Sequence, residues 1–205
     1  MDECCDFRSD IPQRQRRILR IVLWINAVMF VVEFVAGLAS HSTALLADSV
    51  DMLGDAIVYG FSLYVIGRGI AWQARAALLK GGIMAAFGAG VLAEVGVKIA
   101  RGLVPAADVM TGVGALALAA NASVLVFLWR RRGDDINMRS AWMCSRNDVI
   151  ANASVLLAAG GVALTGSAWP DILVGLAIAL MFGTSAVQVL RDARRASIGQ
   201  PQVIP

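Results

Sequence analysis

Six long apolar segments, separated by short polar and basic stretches, organise this chain of 205 residues. Each segment is close to the roughly 20 residues that a helix needs to cross the hydrocarbon core of a bilayer. Backbone groups in lipid must be hydrogen-bonded internally, and the segments lack the short alternating pattern of barrel strands. The pattern therefore predicts an all-α membrane protein with six transmembrane helices, at residues 18–39, 43–66, 79–100, 109–130, 139–164 and 171–190.

The basic residues are distributed unevenly between the two ends of the predicted bundle. Fifteen of the 18 Lys and Arg residues lie in the two terminal tails and in the second and fourth connections. Lys98 and Arg101 lie at the opposite end, and Arg146 falls within the fifth segment. Because basic loops stay in the cytoplasm, this distribution predicts that both termini are cytoplasmic. The expected organisation is a tail at 1–17, a transmembrane domain at 18–190 and a tail at 191–205.

Composition supports the membrane assignment and argues against other classes. The chain is 58% hydrophobic and only 16% charged, whereas a soluble domain is about a quarter charged. The basic clusters alternate with apolar runs, which is typical of topology signals and not of nucleic-acid binding. The sequence shows no nucleophile–base pair and no phosphate-binding loop, so we do not expect an enzyme. We expect a multi-pass protein of a bacterial inner (cytoplasmic) membrane.

Three aspartates interrupt the second apolar segment, in the stretch LADSVDMLGD at residues 46–55. Asp51 and Asp55 are four residues apart, and Asp48 precedes Asp51 by three. At 100° per residue, the three side chains fall within about 60° of arc on a helix. They form one acidic stripe on one helix face.

The fifth segment repeats the four-residue spacing, with Cys144 and Asp148. The two helices run in opposite directions through the membrane, so the pair can meet Asp51 and Asp55 at one depth. Four oxygen or sulfur ligands suit a tetrahedral divalent ion such as zinc. A single carboxylate of this kind could instead stabilise the bundle by hydrogen bonds or an ion pair.

The whole group of acidic residues calls for a different explanation. The nearby cation in the segments, Arg146, projects about 160° away from Cys144 and Asp148 on the same helix. Several anionic groups without protein cations require an external cation or protons. The pattern is therefore typical of an ion path.

Four stretches of the chain resemble a known family when they are taken together. They are NAVMFVVEFVAGLASHSTALLADSVDMLGDA (26–56), KGGIMAAFGAGVLAEVGVKIARGLVP (80–105), RSAWMCSRNDVIANASVLLAA (139–159) and SAWPDILVGLAIALMFGTSAVQVLRDA (167–193). They resemble the first two, third, fifth and sixth helices of the cation diffusion facilitator family of divalent-metal/proton antiporters. In that family the first helix carries a glutamate, the second helix carries the pattern ALLADxx[HD]xxxD and the fifth carries HxxxD. The resemblance implies that Asp51, Asp55, Cys144 and Asp148 bind the transported metal.

The chain departs from the family pattern in its ligands and in its extent. Cys144 stands where the family has histidine, and Asp51 stands where zinc-transporting members often have histidine. Thiolate favours softer ions, so Zn²⁺ or Cd²⁺ is the expected cargo, with no resident cofactor. Cys144 could alternatively be a small buried apolar residue. The resemblance does not extend to the family's C-terminal cytoplasmic domain, so we expect a short form that dimerises through its transmembrane helices.

These features predict a secondary transporter that exports divalent metal cations in exchange for protons across the lipid bilayer. The alternative is a metal-binding membrane sensor or an accessory subunit without transport turnover. Metal-driven proton movement in liposomes distinguishes the two.

Several other polar residues have more than one interpretation. Asp48 could serve metal release or proton entry, or it could cap a neighbouring helix. Glu33 and Asn26 are seven residues apart on one face of the first helix, where packing or hydrogen bonding is one role and a metal or proton path is another for Glu33.

Two further pairs of residues are close in sequence. Cys4 and Cys5, in the tail stretch ECCD, could capture metal at the cytoplasmic mouth or belong to an incidental tail. Glu94 and Lys98 are four apart on the third helix and are expected to pair with each other.

Overall fold

The computed structural model describes residues 13–64, 70–129 and 136–197, and these residues form six α-helices. No strand occurs among them. The prediction of an all-helical fold with six helices in this order is confirmed. The helices are α1 (Gln13–Ser40), α2 (Thr43–Tyr64), α3 (Ile70–Arg101), α4 (Ala107–Trp129), α5 (Ile136–Thr165) and α6 (Trp169–Ser197).

Several helices extend beyond the apolar segments that predicted them. The third helix begins at Ile70, so Arg75 and Lys80 lie within it and not in a connection. The sixth helix continues through a polar stretch to Ser197. An apolar run marks the part of a helix suited to lipid, but Ala, Leu, Gln and Arg favour continued helix on either side of it.

Four helical stretches are long and apolar enough to cross a membrane: Arg16–Ser40, Gly81–Arg101, Ala107–Trp129 and Ala141–Thr165. In α6 the apolar stretch Trp169–Met181 is shorter within the described residues. Helix α2 differs because any part of it long enough to span contains three aspartates. Its acidic stripe, not its length, therefore separates α2 from the four apolar spans.

Among the described residues, many large apolar side chains lie on the outside of the bundle, while several ionisable side chains lie in the interior beside buried apolar ones. Leu164 is 90% exposed and Leu157 is 76% exposed, whereas Glu33 and Asp48 have no exposed surface. A soluble protein shows the opposite arrangement. The exterior is suited to lipid, and the interior holds the ionisable groups.

Helices α1 and α2 form a tight antiparallel hairpin. A Cβ atom at Gly37 would lie 2.9 Å from Leu46 Cγ, and one at Gly60 would lie 3.4 Å from Leu23 Cδ1. In these contacts, residues later in α2 pack against residues earlier in α1. This register puts Glu33 at a level between Asp48 and Asp51.

The turn between α1 and α2 has a left-handed residue at the end of α1. His41 has φ of 54°, and the Ser42 amide donates to the Gly37 carbonyl at 2.9 Å. This six-to-one hydrogen bond is typical of a Schellman motif, in which glycine usually takes the left-handed position. The motif reverses the chain so that α2 can pack directly along α1. We call the end of the bundle that holds this turn the α1–α2 end.

A carboxylate from α6 caps the first turn of α2. Asp171 accepts hydrogen bonds from the Thr43 amide at 2.8 Å, the Ala44 amide at 3.1 Å and the Ser42 hydroxyl at 2.6 Å. It also accepts from the Thr43 hydroxyl and from Lys98 Nζ, each at 2.5 Å. The first amides of a helix lack partners within that helix, and a carboxylate satisfies them well. This cluster, the Asp171 clamp, joins α2, α3 and α6 at the α1–α2 end.

A glycine allows α6 to approach the start of α2 closely enough for the clamp to form. A Cβ atom at Gly175 would lie 2.8 Å from the Thr43 carbonyl carbon and oxygen. Any side chain there would push α6 away from α2. Gly175, one turn after Asp171, is therefore required by the same contact.

The expected pairing of Glu94 with Lys98 is wrong. The ammonium of Lys98 binds Asp171, and neither of these side chains has exposed surface. Glu94 is partly exposed, and its Oε1 lies 3.8 Å from His41 Nδ1. A buried ammonium needs a buried carboxylate, and α6 supplies one where the neighbouring turn of α3 does not.

Replacing Asp171 with alanine should strongly destabilise the protein. The change leaves Lys98 buried without its carboxylate and leaves two α2 amides without an acceptor, a loss of about 3–5 kcal/mol. The measurement is thermal unfolding of the purified protein in detergent. Asp108→Ala is the matched control, because Asp108 is an exposed acidic residue in the first turn of α4.

A double variant tests whether the effect comes from the pair. Asp171→Leu with Lys98→Met removes both charges, so it should unfold at a higher temperature than either single variant. If the losses of stability in the two single variants simply add in the double variant, the proposed coupling between Lys98 and Asp171 is wrong.

Candidate metal centre

Two of the four predicted metal ligands meet across the interface of α2 and α5. The carboxyl groups of Asp51 and Asp148 are within hydrogen-bonding distance of each other. Their side chains lie in the interior, with Asp51 8% exposed and Asp148 2% exposed. Two carboxyl groups can share a hydrogen bond only when one of them carries a proton. The contact is thus a place where a proton and a metal ion would compete for the same oxygens.

A second contact fixes the register between α2 and α5. Asn152 Nδ2 donates to Asp48 Oδ2 at 2.6 Å. Because Asp48 pairs with Asn152 and Asp51 with Asp148, the two helices are antiparallel along this line. One further turn of each helix brings Asp55 and Cys144 to the same level. The four predicted ligands therefore occupy two adjacent levels of one interface.

The ligands are not gathered into a closed coordination shell. Among residues 13–64, 70–129 and 136–197, no three His, Cys, Asp or Glu side chains lie close enough together to hold a metal ion. Asp55 is half-buried and within electrostatic range of Asp148. Cys144 is buried one turn before Asp148 on α5. The assignment of these four residues as metal ligands stays a prediction.

The acidic set extends to α1. Glu33 is fully buried, and the charged groups that act on it electrostatically are Asp48 and Asp51. Within the described part of the chain, neither carboxylate oxygen of Glu33 has a hydrogen-bond partner. The same holds for Asp48 Oδ1 and Asp148 Oδ2. Buried polar atoms are usually hydrogen-bonded, so these oxygens are open positions for a proton or a cation.

A chain of buried asparagines, which the sequence pattern did not predict, lies beside the acidic set. Asn121 Nδ2 on α4 donates to Asn152 Oδ1 at 2.8 Å and lies 3.6 Å from Met52 Sδ. Asn152 in turn donates to Asp48. The signal for Asn152 was available, since it follows Asp148 by four residues and continues the Cys144–Asp148 face. Asn121 gave no spacing signal, because its partner lies on another helix.

The remaining polar residues contribute differently. Asn26 is buried and donates to the Val22 carbonyl of its own helix at 2.9 Å. Arg146 is exposed, and its guanidinium carbon lies 5.7 Å from the centre of the Trp142 ring. Its cation–π contact is consistent with the prediction that Arg146 points away from the ligand face. Cys4 and Cys5 lie outside the described residues.

The fold and this site define the class of the protein, an all-helical membrane protein with an acidic, polar interior. The sequence model of the cation efflux transmembrane domain matches residues 19–196, a range that includes most of every helix. The chain therefore belongs to the cation efflux family, as its resemblance to cation diffusion facilitators implied. It is a multi-pass membrane protein of a family that transports metal cations. No curated protein matches the chain significantly.

The register between α2 and α5 can be tested by disulfide crosslinking. In a background with Cys4 and Cys5 replaced by serine, Asp55→Cys should crosslink to Cys144 under mild oxidation, because the two positions share a level. Intramolecular crosslinking is measured by mass spectrometry of peptides from the detergent-purified protein.

Asp48→Cys is the matched control for this experiment. It lies seven residues from Asp55, or about 10.5 Å along the helix, which is beyond the reach of a disulfide. Equal crosslinking of both variants, or crosslinking only of Asp48→Cys, would show that the register is different.

Proposed function

We propose that this protein exports divalent metal cations from the cytoplasm in exchange for protons, with zinc and cadmium as its preferred cargo. The observation that carries this proposal is the buried contact between Asp51 and Asp148. It joins carboxyl groups of two helices inside a bundle whose outer surface is apolar. Membership of the cation efflux family supports movement of metal cations by this bundle.

Metal and protons would use the same groups in alternation. Binding a metal ion requires deprotonated carboxylates and thiolate, so metal loading releases protons. In the proposed loaded state, Asp51, Asp55, Cys144 and Asp148 hold the ion. On the opposite side of the membrane, protons return to these groups and displace it.

Charge limits how many protons can leave. Three carboxylates and a thiolate carry four negative charges, so a divalent ion leaves two uncompensated. Such an excess is unfavourable in a low-dielectric interior. We therefore propose that at least one group stays protonated when a single ion is bound.

Topology and assembly complete the proposal. The concentration of Lys and Arg in the tails and in two connections supports cytoplasmic termini in a bacterial inner membrane. With that topology, the α1–α2 end faces away from the cytoplasm. Homodimerisation through the transmembrane helices stays a prediction, and chemical crosslinking in native membranes measures it.

Transport should depend on one aspartate from each ligand pair. Asp55→Ala and Asp148→Ala each remove a proposed ligand, so metal-driven proton flux in proteoliposomes should fall by about 10–100-fold or more. Asp108→Ala should retain parental flux, because that side chain is exposed on α4.

Two results would contradict the transport proposal. Parental flux in both ligand variants would exclude the proposed site. Metal binding without any flux by the parent protein would instead support a sensor or an accessory subunit.

Cys144 should set the preference among metals. Cys144→His introduces a nitrogen ligand that zinc accepts and removes the soft thiolate that favours cadmium. Zinc flux should persist, while the ratio of cadmium flux to zinc flux should fall. The measurement is competition between the two ions in proteoliposomes, in a background with Cys4 and Cys5 replaced by serine. If manganese proves the best cargo of the parent protein, the role assigned to the thiolate is wrong.

A further inference from the structure

Glu33 is a fully buried carboxylate without an internal counter-ion among the described residues. Neither of its oxygens has a hydrogen-bond partner there, and the charged groups that act on it electrostatically, Asp48 and Asp51, have the same sign. The buried cation in the described part of the chain, Lys98, is bound to Asp171. Such a carboxylate is strongly disfavoured unless a cation or a proton joins it.

Asp48, close to the level of Glu33 on the neighbouring helix, has one oxygen in a hydrogen bond and one without a partner among the described residues. Asn152 Nδ2 holds Oδ2 at 2.6 Å, whereas Oδ1 is buried and has no hydrogen-bond partner in the described residues. Asn121 fixes the orientation of Asn152, because it donates to the amide oxygen and leaves the amide nitrogen for Asp48. Hydrogen bonds of this kind orient ligand carboxylates in metal sites.

The helix register puts the two carboxylates at neighbouring levels of α1 and α2. The contacts of Gly37 with Leu46 and of Gly60 with Leu23 put Glu33 level with the Asp48–Asp51 turn. Asp48 itself lies about 10.5 Å along α2 from Asp55. A cation at Glu33 and Asp48 would therefore lie on a different level from one held near Asp55 and Cys144.

We propose that Glu33 and Asp48 form a second binding position for a divalent cation, nearer the α1–α2 end than the four predicted ligands. This position rests on the proposed function, since it receives the same transported ion. Its ligands are oxygens only, so it favours harder ions more than the thiolate-containing position does. With both positions filled, two ions compensate four of the six negative charges that Glu33, Asp48 and the four predicted ligands carry when ionised.

Counting bound ions tests the second position directly. The full chain, with Cys4 and Cys5 replaced by serine, is purified in detergent and dialysed to equilibrium against zinc. We expect two zinc ions per chain in this parent, and one in each of Glu33→Gln and Asp48→Asn. These substitutions remove a negative charge while keeping the size of the side chain.

Two controls show that the lost ion comes from this position. Glu94→Gln, at the partly exposed pair with His41, should still bind two ions. With cadmium as the probe, the ultraviolet charge-transfer band of Cys144 thiolate should persist in Glu33→Gln and Asp48→Asn. One ion in the parent, two ions in Glu33→Gln, or loss of an ion only in Glu94→Gln would each overturn the proposal.

A further variant keeps the test decisive if the carboxylate substitutions unfold the protein. Asn152→Ala leaves every carboxylate in place and removes the group that orients Asp48. The weaker of the two zinc affinities should fall by about tenfold or more, while the other stays unchanged. Two unchanged affinities would overturn the proposal.

The outcomes separate this inference from the transport proposal. Metal-driven flux by a parent that binds one ion would support transport and overturn the second position. Two bound ions without flux would support the second position and contradict the transport proposal.

Discussion

Burying a carboxylate inside a membrane bundle is the constraint on which this structure depends, and the chain meets it in two ways. Asp171 is compensated internally by Lys98, two hydroxyl groups and the first amides of α2. The set formed by Glu33, Asp48, Asp51 and Asp148 has no buried protein cation beside it among the described residues. The first arrangement is complete in itself and stabilises the fold, whereas in the proposed function an ion or a proton from outside the chain completes the second.

Helix α2 is the element that both arrangements share. Its first turn is held by the Asp171 clamp, and the stripe of Asp48, Asp51 and Asp55 begins a turn and a half further along. Glycines at 37 and 175 allow α1 and α6 to pack closely against it. The position of the acidic stripe therefore follows from contacts at the α1–α2 end, which set where α2 starts and which helices surround it.

The buried asparagines extend the acidic set towards one end of the bundle. Asn121 orients Asn152, and Asn152 orients Asp48, so the polar path extends from the Asp51–Asp148 contact towards the α1–α2 end. In the proposed topology this is the direction of export. A neutral amide can hold a carboxylate in place without cancelling its charge, which is the property that a transient cation position requires.

Local patterns in the sequence determined the six helices, the acidic stripe on α2 and the matching Cys144–Asp148 spacing on α5. These features depend only on the segment length needed to cross a bilayer and on helical periodicity. Both are visible within a single segment. The tertiary structure alone decided that Lys98 binds Asp171 and not Glu94, that Glu33 lies close to the level of Asp48, and that Asn121 reaches Asn152. Each of these choices depends on the register between helices that are distant in sequence. That register is set by the close approach of small residues and by the need of buried charges for partners, and neither is visible in any one segment.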